Sequence, residues 1–465
     1  MENAPKKSYV MSGGPKGLPM VGMLSAAFRD PLGMLLQNSL RYGDIIPINL
    51  MVMEVVQINH PDLIKYILVE NHKNYRKSDI YIRFESILGQ GLLTSSGDKW
   101  RRDRQKIQPM FKREHVEGYY FDVINEVSEK YKRRWLALTE HGSAELDASH
   151  EMTAITIEII GKLLFGKDLD AEVVKSIHYS YSVFLDYLKN IRLLPKMDLR
   201  KLCCTPAYFR FKKELDHIHA MFRSFIEQYK SGAATDKHNM LALLFEAQQQ
   251  DPEHFNEQDI IDHCATMVFA GFETTSLSMQ WLWYLLDARP DVVEKLRDDI
   301  TSRAVCTATH DSTGLTYDEV ARMDYLSAAF METMRLYPPF WMVGRSPLED
   351  DYLGDFKLKR GTAVVLPQII MHRHPRWWSA PNAFIPERFL PENVAQIDDG
   401  LYFPFGQGSR KCIGYRPAEI EAKTIFAKLL PLFKVTVLNT LFNGFSKSAI
   451  SPKLNQPLRV EIRRL

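Results

Sequence analysis

The chain has 465 residues and a formal net charge of +2, with 59 Lys+Arg against 57 Asp+Glu, so no general attraction to nucleic acid follows. Hydrophobic residues make up 45% and charged residues 25%, the balance of an ordinary globular protein long enough to bury a large core and an internal pocket. Its 5 cysteines, at 203, 204, 264, 306 and 412, show neither CxxC pairs nor cluster-like spacing. A disulfide framework and an iron–sulfur domain are thereby excluded, and a reducing cytoplasm fits.

The opening stretch Met1 to Lys7 contains neither a signal-peptide apolar region nor a membrane-spanning run, so no transmembrane anchor is expected. Residues 1–14 read as a flexible segment, and 15–22 as a Pro/Gly-rich lead-in. Two β-branched, alternating runs at Ile45–Leu50 and Glu54–Ile58 read as a first hairpin. From about Pro61 to Tyr337 the apolar spacing is mainly helical. Helices are expected at 61–70, 98–110, 114–137, 151–165, 171–189, 206–230, 238–249, 256–288, 290–301, 317–322 and 325–337. Short strands follow at Leu353–Leu358 and Ala363–Pro367, then a last helix over 415–432 and a strand-like tail. Gly232–Asp236 reads as a flexible loop within one unit.

Four places carry chemistry. Trp100 and Arg104, four apart on one helix face, can hold a carboxylate through an indole N–H and a guanidinium. Arg101, Arg102 and Lys106 crowd Arg104, so a solvated basic face is the other reading. Within the long run 256–288, Gly271 loosens the helix and Thr274 competes for a backbone hydrogen bond, which can open a kink. Glu273 and Thr274 then supply an acid and a hydroxyl for proton delivery; the alternative is a small-residue helix contact with Glu273 solvated. Glu332 and Arg335 share a helix face as a local ion pair, which alone means little. Phe405-Gly406-Gln407-Gly408-Ser409-Arg410-Lys411-Cys412-Ile413-Gly414 places one cysteine on a glycine-rich turn beside two cations, before an amphipathic helix. Arg410, Lys411 and the helix N-terminus favour a thiolate there, and a thiolate is an axial ligand for haem iron; a buried structural cysteine is the commoner fate.

This last segment resembles the cysteine loop of the cytochrome P-450 family, the haem-thiolate monooxygenases. Phe405, Gly408, Arg410, Cys412 and Gly414 fill the family pattern, and Ala418 and Glu421 continue it. Pro417 departs from it, standing where a bulky apolar residue is usual, and is expected to alter packing on the cysteine side without loss of the ligand. The resemblance extends to Ala270–Thr275, to Glu332 and Arg335 with Arg388 of Pro386–Phe389, and to Trp100 with Arg104. It covers about residues 15 to 465 and implies a single domain of mainly α fold with small β-sheets enclosing haem b. By that resemblance Cys412 ligates iron, and Trp100, Arg104, Ala270, Gly271, Arg345, Phe405, Gly406, Arg410 and Gly414 surround the haem. Thr274 and Glu273 deliver protons to dioxygen. Glu332, Arg335 and Arg388 form a structural triad fixing the cysteine loop. His372 matches a frequent family histidine, its role open.

The resemblance places a substrate cavity opposite Cys412. Its expected walls are Ile80 to Ile87, Phe184 to Leu194, Val268 and Phe269, Pro339 to Val343 and the tail near Phe445. Tyr81, Phe84, Tyr187, Phe269, Phe340, Trp341, Met342 and Val343 make this an aromatic-rich set suited to a bulky lipophilic molecule. Arg83 and Arg192 read equally as carboxylate anchors or surface. No room remains for a fused flavin domain, so a ferredoxin or flavodoxin with its reductase is expected to supply electrons. Its expected landing patch is basic: Arg101, Arg102, Lys106, Lys112, Arg113, Lys411, Arg416 and Lys423. The expected activity is insertion of one oxygen atom from O2 by a soluble, bacterial-type, cytoplasmic enzyme of secondary metabolism. A peroxide-driven or non-hydroxylating oxidase, and a haem-binding sensor or carrier, are the other readings.

Overall fold

A computed structural model of the chain describes residues 9–18, 22–51, 53–190, 205–232, 238–304, 314–439, 454 and 456–465. Of the expected loop Gly232–Asp236, all but Gly232 lies outside these residues. The helices that position the site are α1 (Pro31–Tyr42), α2 (Gly97–Ile107), α3 (Phe121–Leu138), α4 (Ala148–Phe165), α5 (Ala171–Asn190), α6 (Pro206–Lys230), α7 (Glu257–Asp287), α8 (Asp324–Leu336) and α9 (Tyr415–Leu429). Five strands form the main sheet: β1 (Ile45–Asn49), β2 (Glu54–Ile58), β3 (Tyr75–Lys77), β4 (Val343–Pro347) and β5 (Ala363–Leu366).

α7 is the spine. Its 31 residues rise about 46 Å at 1.5 Å each. Asn256 starts it with a capping box: its side chain accepts from Asp259 N, and the Asp259 carboxylate accepts from Asn256 N. A helix apolar on nearly all sides must be buried on all sides. Accordingly α4, α6 and α8 pack around it, and Phe269, Phe272, Met279, Trp281 and Trp283 lie in the core.

The sheet has the order β1-β2-β5-β4-β3. β2 and β5 run parallel, and the other neighbours antiparallel. The register of β3 on β4 sets Lys77 directly opposite Arg345. A smaller sheet joins Ser143–Asp147, Arg459–Arg464 and Phe433–Val437, and the expected run at 353–358 belongs to a hairpin of two three-residue strands, Asp351–Leu353 and Phe356–Leu358.

The expected helices are present with ends shifted by a few residues, 61–70 and 98–110 closing in a π and a 3-10 turn, but the expected 114–137 is broken at Gly118 and continues as α3 from Phe121. Two helices, Leu24–Arg29 and α1, stand between the lead-in at 15–22 and the hairpin, where no element was expected. Their signal is the pair Asp30-Pro31: proline at the first helical position, and an aspartate whose carboxylate accepts from Gly33 N at 2.9 Å. Residues 9–14, expected to be flexible, are pinned to the sheet edge. Val10 N donates to the Asp44 carboxylate at 3.0 Å, Asp44 N to Val10 O at 2.9 Å, and Met11 pairs with Gly43.

Candidate active site

α9 begins at Tyr415, and the turn before it carries Cys412. Cys412 N donates to Phe405 O at 2.8 Å and Gly406 N to Phe403 O at 2.9 Å, which closes the loop on itself. Gly408, at φ +68°, lies so close to Leu68 O that a Cβ there would stand 1.9 Å from it; no other residue fits.

The loop is held from behind by a fully satisfied ion pair. Arg335 and Glu332 are both 0% exposed, with Nε to Oε2 at 2.6 Å and Nη2 to Oε1 at 2.8 Å. The remaining guanidinium hydrogens go to the carbonyls of His372 (2.8 Å), Pro381 (2.8 Å) and Ala383 (3.0 Å). Ile385 N donates to Glu332 at 2.9 Å, and Arg388 stands 3.5 Å from it while anchoring to Ser379 O and Ala380 O. His372 continues the chain: its Nε2 accepts from Phe403 N at 2.9 Å. Burial, then the neighbouring Arg335, pushes the imidazole down to about 3, so it stays neutral and keeps that acceptor. The path from Glu332 to Cys412 is therefore one series of hydrogen bonds, and it gives His372 the role left open by the sequence.

Between Cys412 and α7 lies an elongated cavity of about 350 Å³. One side is Phe405, Gly406, Cys412, Gly414, Pro417 and Ala418; the other is Ala270, Gly271 and Thr274. Tyr81, Phe84, Phe269, Phe340, Met342 and Val343 line its apolar end, as expected, with Tyr181 and Phe184 of α5. Tyr187 does not. It faces away from the cavity, stacked at 4.1 Å on Phe211 of α6. Trp341 packs instead with α1 and the sheet. The side chains of Ile80 and Arg83, and residues 191–194, Arg192 and Phe445, lie outside the described residues.

α7 runs through Ala270–Thr275 as continuous helix, without the expected kink. Thr274 Oγ1 donates to Ala270 O at 2.7 Å, one turn back along the same helix. Its hydrogen is thereby committed, and its lone pairs are left to accept from whatever occupies the cavity. Glu273 is buried on a neighbouring stripe of the helix, and its charge acts on Tyr181.

At one rim of the cavity four cations converge. Lys77, Arg345 and Arg410 border it, and Arg104 acts on Arg410 and Lys77 from α2. Among the described residues none of the four is ion-paired. Lys77 donates to the carbonyls of Leu92 and Leu93, Arg345 to Gly344 O, and Arg410 to Ser95 O while lying 3.7 Å over the Trp100 ring. Burial and then mutual repulsion hold Lys77 well below the usual lysine range and bring Arg410 down to about 9. Like charges set opposite on a strand pair repel, and buried ones do so strongly. An arrangement of this kind suits an anion, which the propionates of haem would supply. Lys77 was missed in the sequence because only the strand register brings it beside Arg345.

Cys412 is accessible only by way of the loop and cavity around it, and this removal from bulk water raises its thiol; Gly414 N–H, Arg104 and Lys411 oppose this, in that order. Arg410, expected to help, is turned away toward Ser95 and Trp100. A thiol that borders the cavity and has no hydrogen-bonded acid beside it suits a soft metal, which deprotonates a coordinating thiol outright.

A cysteine facing a long helix across a cavity with a cationic rim is the arrangement the sequence comparison decides. The family model for cytochrome P450 matches residues 12–449. The chain belongs to the cytochrome P450 family. Cyclooctatin synthase of Streptomyces melanosporofaciens is 30% identical over 86% of this chain and 84% of its own length. Pentalenene oxygenase of Streptomyces avermitilis is 26% identical over 92% of both, and human cytochrome P450 4V2 is 28% identical over 79% and 72%. As a member of this P450 family the protein binds haem and is a monooxygenase of lipophilic substrates. No helix among the described residues is long and apolar enough to cross a membrane.

The expected basic face divides on inspection. Arg101 pairs with Asp98 at 2.8 Å, Lys106 with Asp251 at 2.8 Å, and Arg113 with Glu117. Lys423 is not at the surface: it is 2% exposed, with Nζ donating to Ala321 O and Ser327 Oγ. Arg102, Lys112, Lys411 and Arg416 remain exposed, without an ion pair among the described residues.

Proposed function

We propose that the protein holds haem b through Cys412 Sγ and hydroxylates or epoxidises a bulky, unsaturated terpenoid-like substrate, with electrons from a ferredoxin or flavodoxin. The observation that carries this reading is that the Cys412 thiol shares one cavity with Lys77, Arg345 and Arg410, with Arg104 acting on them from α2 and none of the four ion-paired among the described residues. Bound haem would supply the redox chemistry of oxygen activation. The chain supplies the rest.

Lys77, Arg104, Arg345 and Arg410, with the Trp100 indole, hold the propionates. The apolar wall of Phe84, Phe269, Phe340, Met342 and Val343 excludes water and leaves the substrate oriented by shape alone. Thr274, its hydrogen tied to Ala270 O, accepts a hydrogen bond at the cavity surface and so keeps a proton donor in line. Glu273, one residue away, is the acid that restores the proton. A terpenoid is favoured because the relatives named above include a pentalenene oxygenase, and a further one, 25% identical over 91% of this chain, is a cyclooctat-9-en-7-ol 5-monooxygenase. The exposed Arg102, Lys112, Lys411 and Arg416 form the landing face for an acidic electron donor.

The deciding experiment is the absorption spectrum of the reduced protein under carbon monoxide, beside Cys412→His. A strongly red-shifted thiolate-type Soret band that the variant loses is the expected result. A histidine-type band in folded, haem-loaded wild type would overturn the assignment of Cys412, and with it the proposed reaction.

A further inference from the structure

α2 carries Trp100 and Arg104, and α7 carries Ala270 and Thr274, so the relative placement of these two helices sets the haem rim against the oxygen side. α2 is an unusual helix to dock. In Gly97-Asp98-Lys99-Trp100-Arg101-Arg102-Asp103-Arg104-Gln105-Lys106-Ile107 only Asp103 and Ile107 are buried. One of its two docking residues is thus a carboxylate, 1% exposed. A carboxylate taken out of water needs partners, or it costs more than the apolar contact beside it returns.

Its partners lie along the line to α7. Lys99 Nζ stands 3.0 Å from Asp103 Oδ2 and 2.5 Å from Asp259 Oδ1, in the first turn of α7. His263 Nε2, also 1% exposed, stands 3.4 Å from the same Asp103 oxygen, within ion-pair distance but outside hydrogen-bond geometry. The imidazole is fixed by stacking on Phe255 at 5.5 Å and 10°, with Lys106 of α2 over the same phenyl ring at 4.9 Å. Lys99–Asp259 and Asp103–His263 are the polar side-chain links between α2 and α7 among the described residues. Residues 263, 270 and 274 are two and three turns apart on one helix face. Asp103 immediately precedes Arg104.

We propose that Asp103 and His263 are positioning residues for haem retention: their contact fixes the rotation of α2 on α7, and thereby the aim of Arg104 and Trp100 at the propionates. The proposal rests on the haem reading above. A helix docked by Ile107 alone would be held in place but free to roll, because an apolar contact is not directional; a carboxylate held between an ammonium and an imidazole is.

The test measures two quantities on the reconstituted holoenzyme: the rate of haem transfer to excess apomyoglobin, and the thermal midpoint of the haem-free protein. Ile107→Val is the control, since it weakens the same docking face without touching the polar link. Asp103→Leu and His263→Leu are expected to raise haem release roughly tenfold or more above Ile107→Val at an equal thermal midpoint. His263→Gln keeps a polar N–H group beside Asp103 and should restore most of the retention. Release rates that follow the thermal midpoint alone, with the leucine variants on the same line as Ile107→Val, would overturn the proposal. So would a His263→Gln protein no better than His263→Leu. A wild type that takes up haem with a thiolate-type spectrum and then shows that line defeats only this inference; a wild type that takes up none defeats the haem reading.

Discussion

The chain takes two groups of charges out of water near the cysteine loop, one fully and one in part, and they are built on opposite plans. Glu332 and Arg335 are fully enclosed, and every hydrogen of the guanidinium has an acceptor. Lys77, Arg104, Arg345 and Arg410 are brought together with no carboxylate among them, and each is pushed toward its neutral form by burial. A satisfied buried charge belongs to the scaffold. Buried like charges without a counter-ion belong to a ligand that the chain does not itself provide. The same residue type serves structure in one place and recognition in the other, and only the accounting of partners separates them.

The sharpest way to break the comparison is to unbalance the first group. Glu332→Gln leaves Arg335 charged, buried and short of its counter-ion. Breaking such a pair from one side costs about 3–5 kcal/mol, a large share of a typical domain's stability. Urea denaturation should show this loss in the haem-free and haem-loaded protein alike. A loss confined to the loaded protein would place Glu332 among the ligand-binding residues instead.

The second group should respond with a change of sign. Lys77→Met removes one of four repelling charges, so the haem-free protein should gain roughly 1–3 kcal/mol, the cost of an unpaired buried group. The loaded protein should lose haem faster than wild type, because a propionate has lost a partner. Calorimetry on the two forms reads both effects. Destabilisation of both forms together would mean that Lys77 is held by the carbonyls of Leu92 and Leu93 for structural reasons.

His372 lies between the two groups and responds to pH. Its pKa is depressed from 6.5 to about 3 in the folded protein, by burial first and Arg335 second. The unfolded chain therefore binds a proton between those values that the folded chain does not. The stability this residue contributes is complete above the ordinary histidine range and is lost as pH falls toward about 3. The slope approaches about 1.4 kcal/mol per pH unit. Denaturant midpoints for His372→Gln should show a correspondingly flatter acid limb; an unchanged limb would mean that other groups set the acid sensitivity.

Much of this was legible in the sequence, and the parts that were not share one cause. The cysteine loop, the Glu332–Arg335 pair and the helix of Thr274 are local patterns of residue type and spacing, so they could be read directly. Lys77 becomes a site residue through a strand register between segments almost 270 positions apart, and no local pattern encodes that. Tyr187 was misplaced for a related reason: it lies three residues from cavity-lining Phe184 and one from Leu188, so only about 60–100° of rotation about α5 turns it toward α6, and composition does not fix that rotation. Lys423 was assigned to the surface by charge alone, although α9 is buried on most of its circumference. The expected break at Gly271 is absent because a glycine and a threonine can still keep helical backbone within a long buried helix.

The smallest expected effect lies at the surface, where charges without partners are ordinary and carry little energy. Arg102 and Arg416 are exposed, and their replacement by glutamate should leave the denaturation midpoint unchanged. What should change is a rate. With an acidic ferredoxin as donor, the double reversal should slow reduction about tenfold at low salt, since steering by opposed charge acts on encounter. The gap should close as salt shortens the screening length toward about 3 Å at 1 M. A matching double reversal at Arg101 and Arg113, whose charges are already met by Asp98 and Glu117, should slow it less. Stopped-flow reduction across ionic strength compares the two pairs directly. Equal slowing by both would mean that net charge alone steers the donor, and that the distinction between paired and unpaired cations holds only where water is excluded.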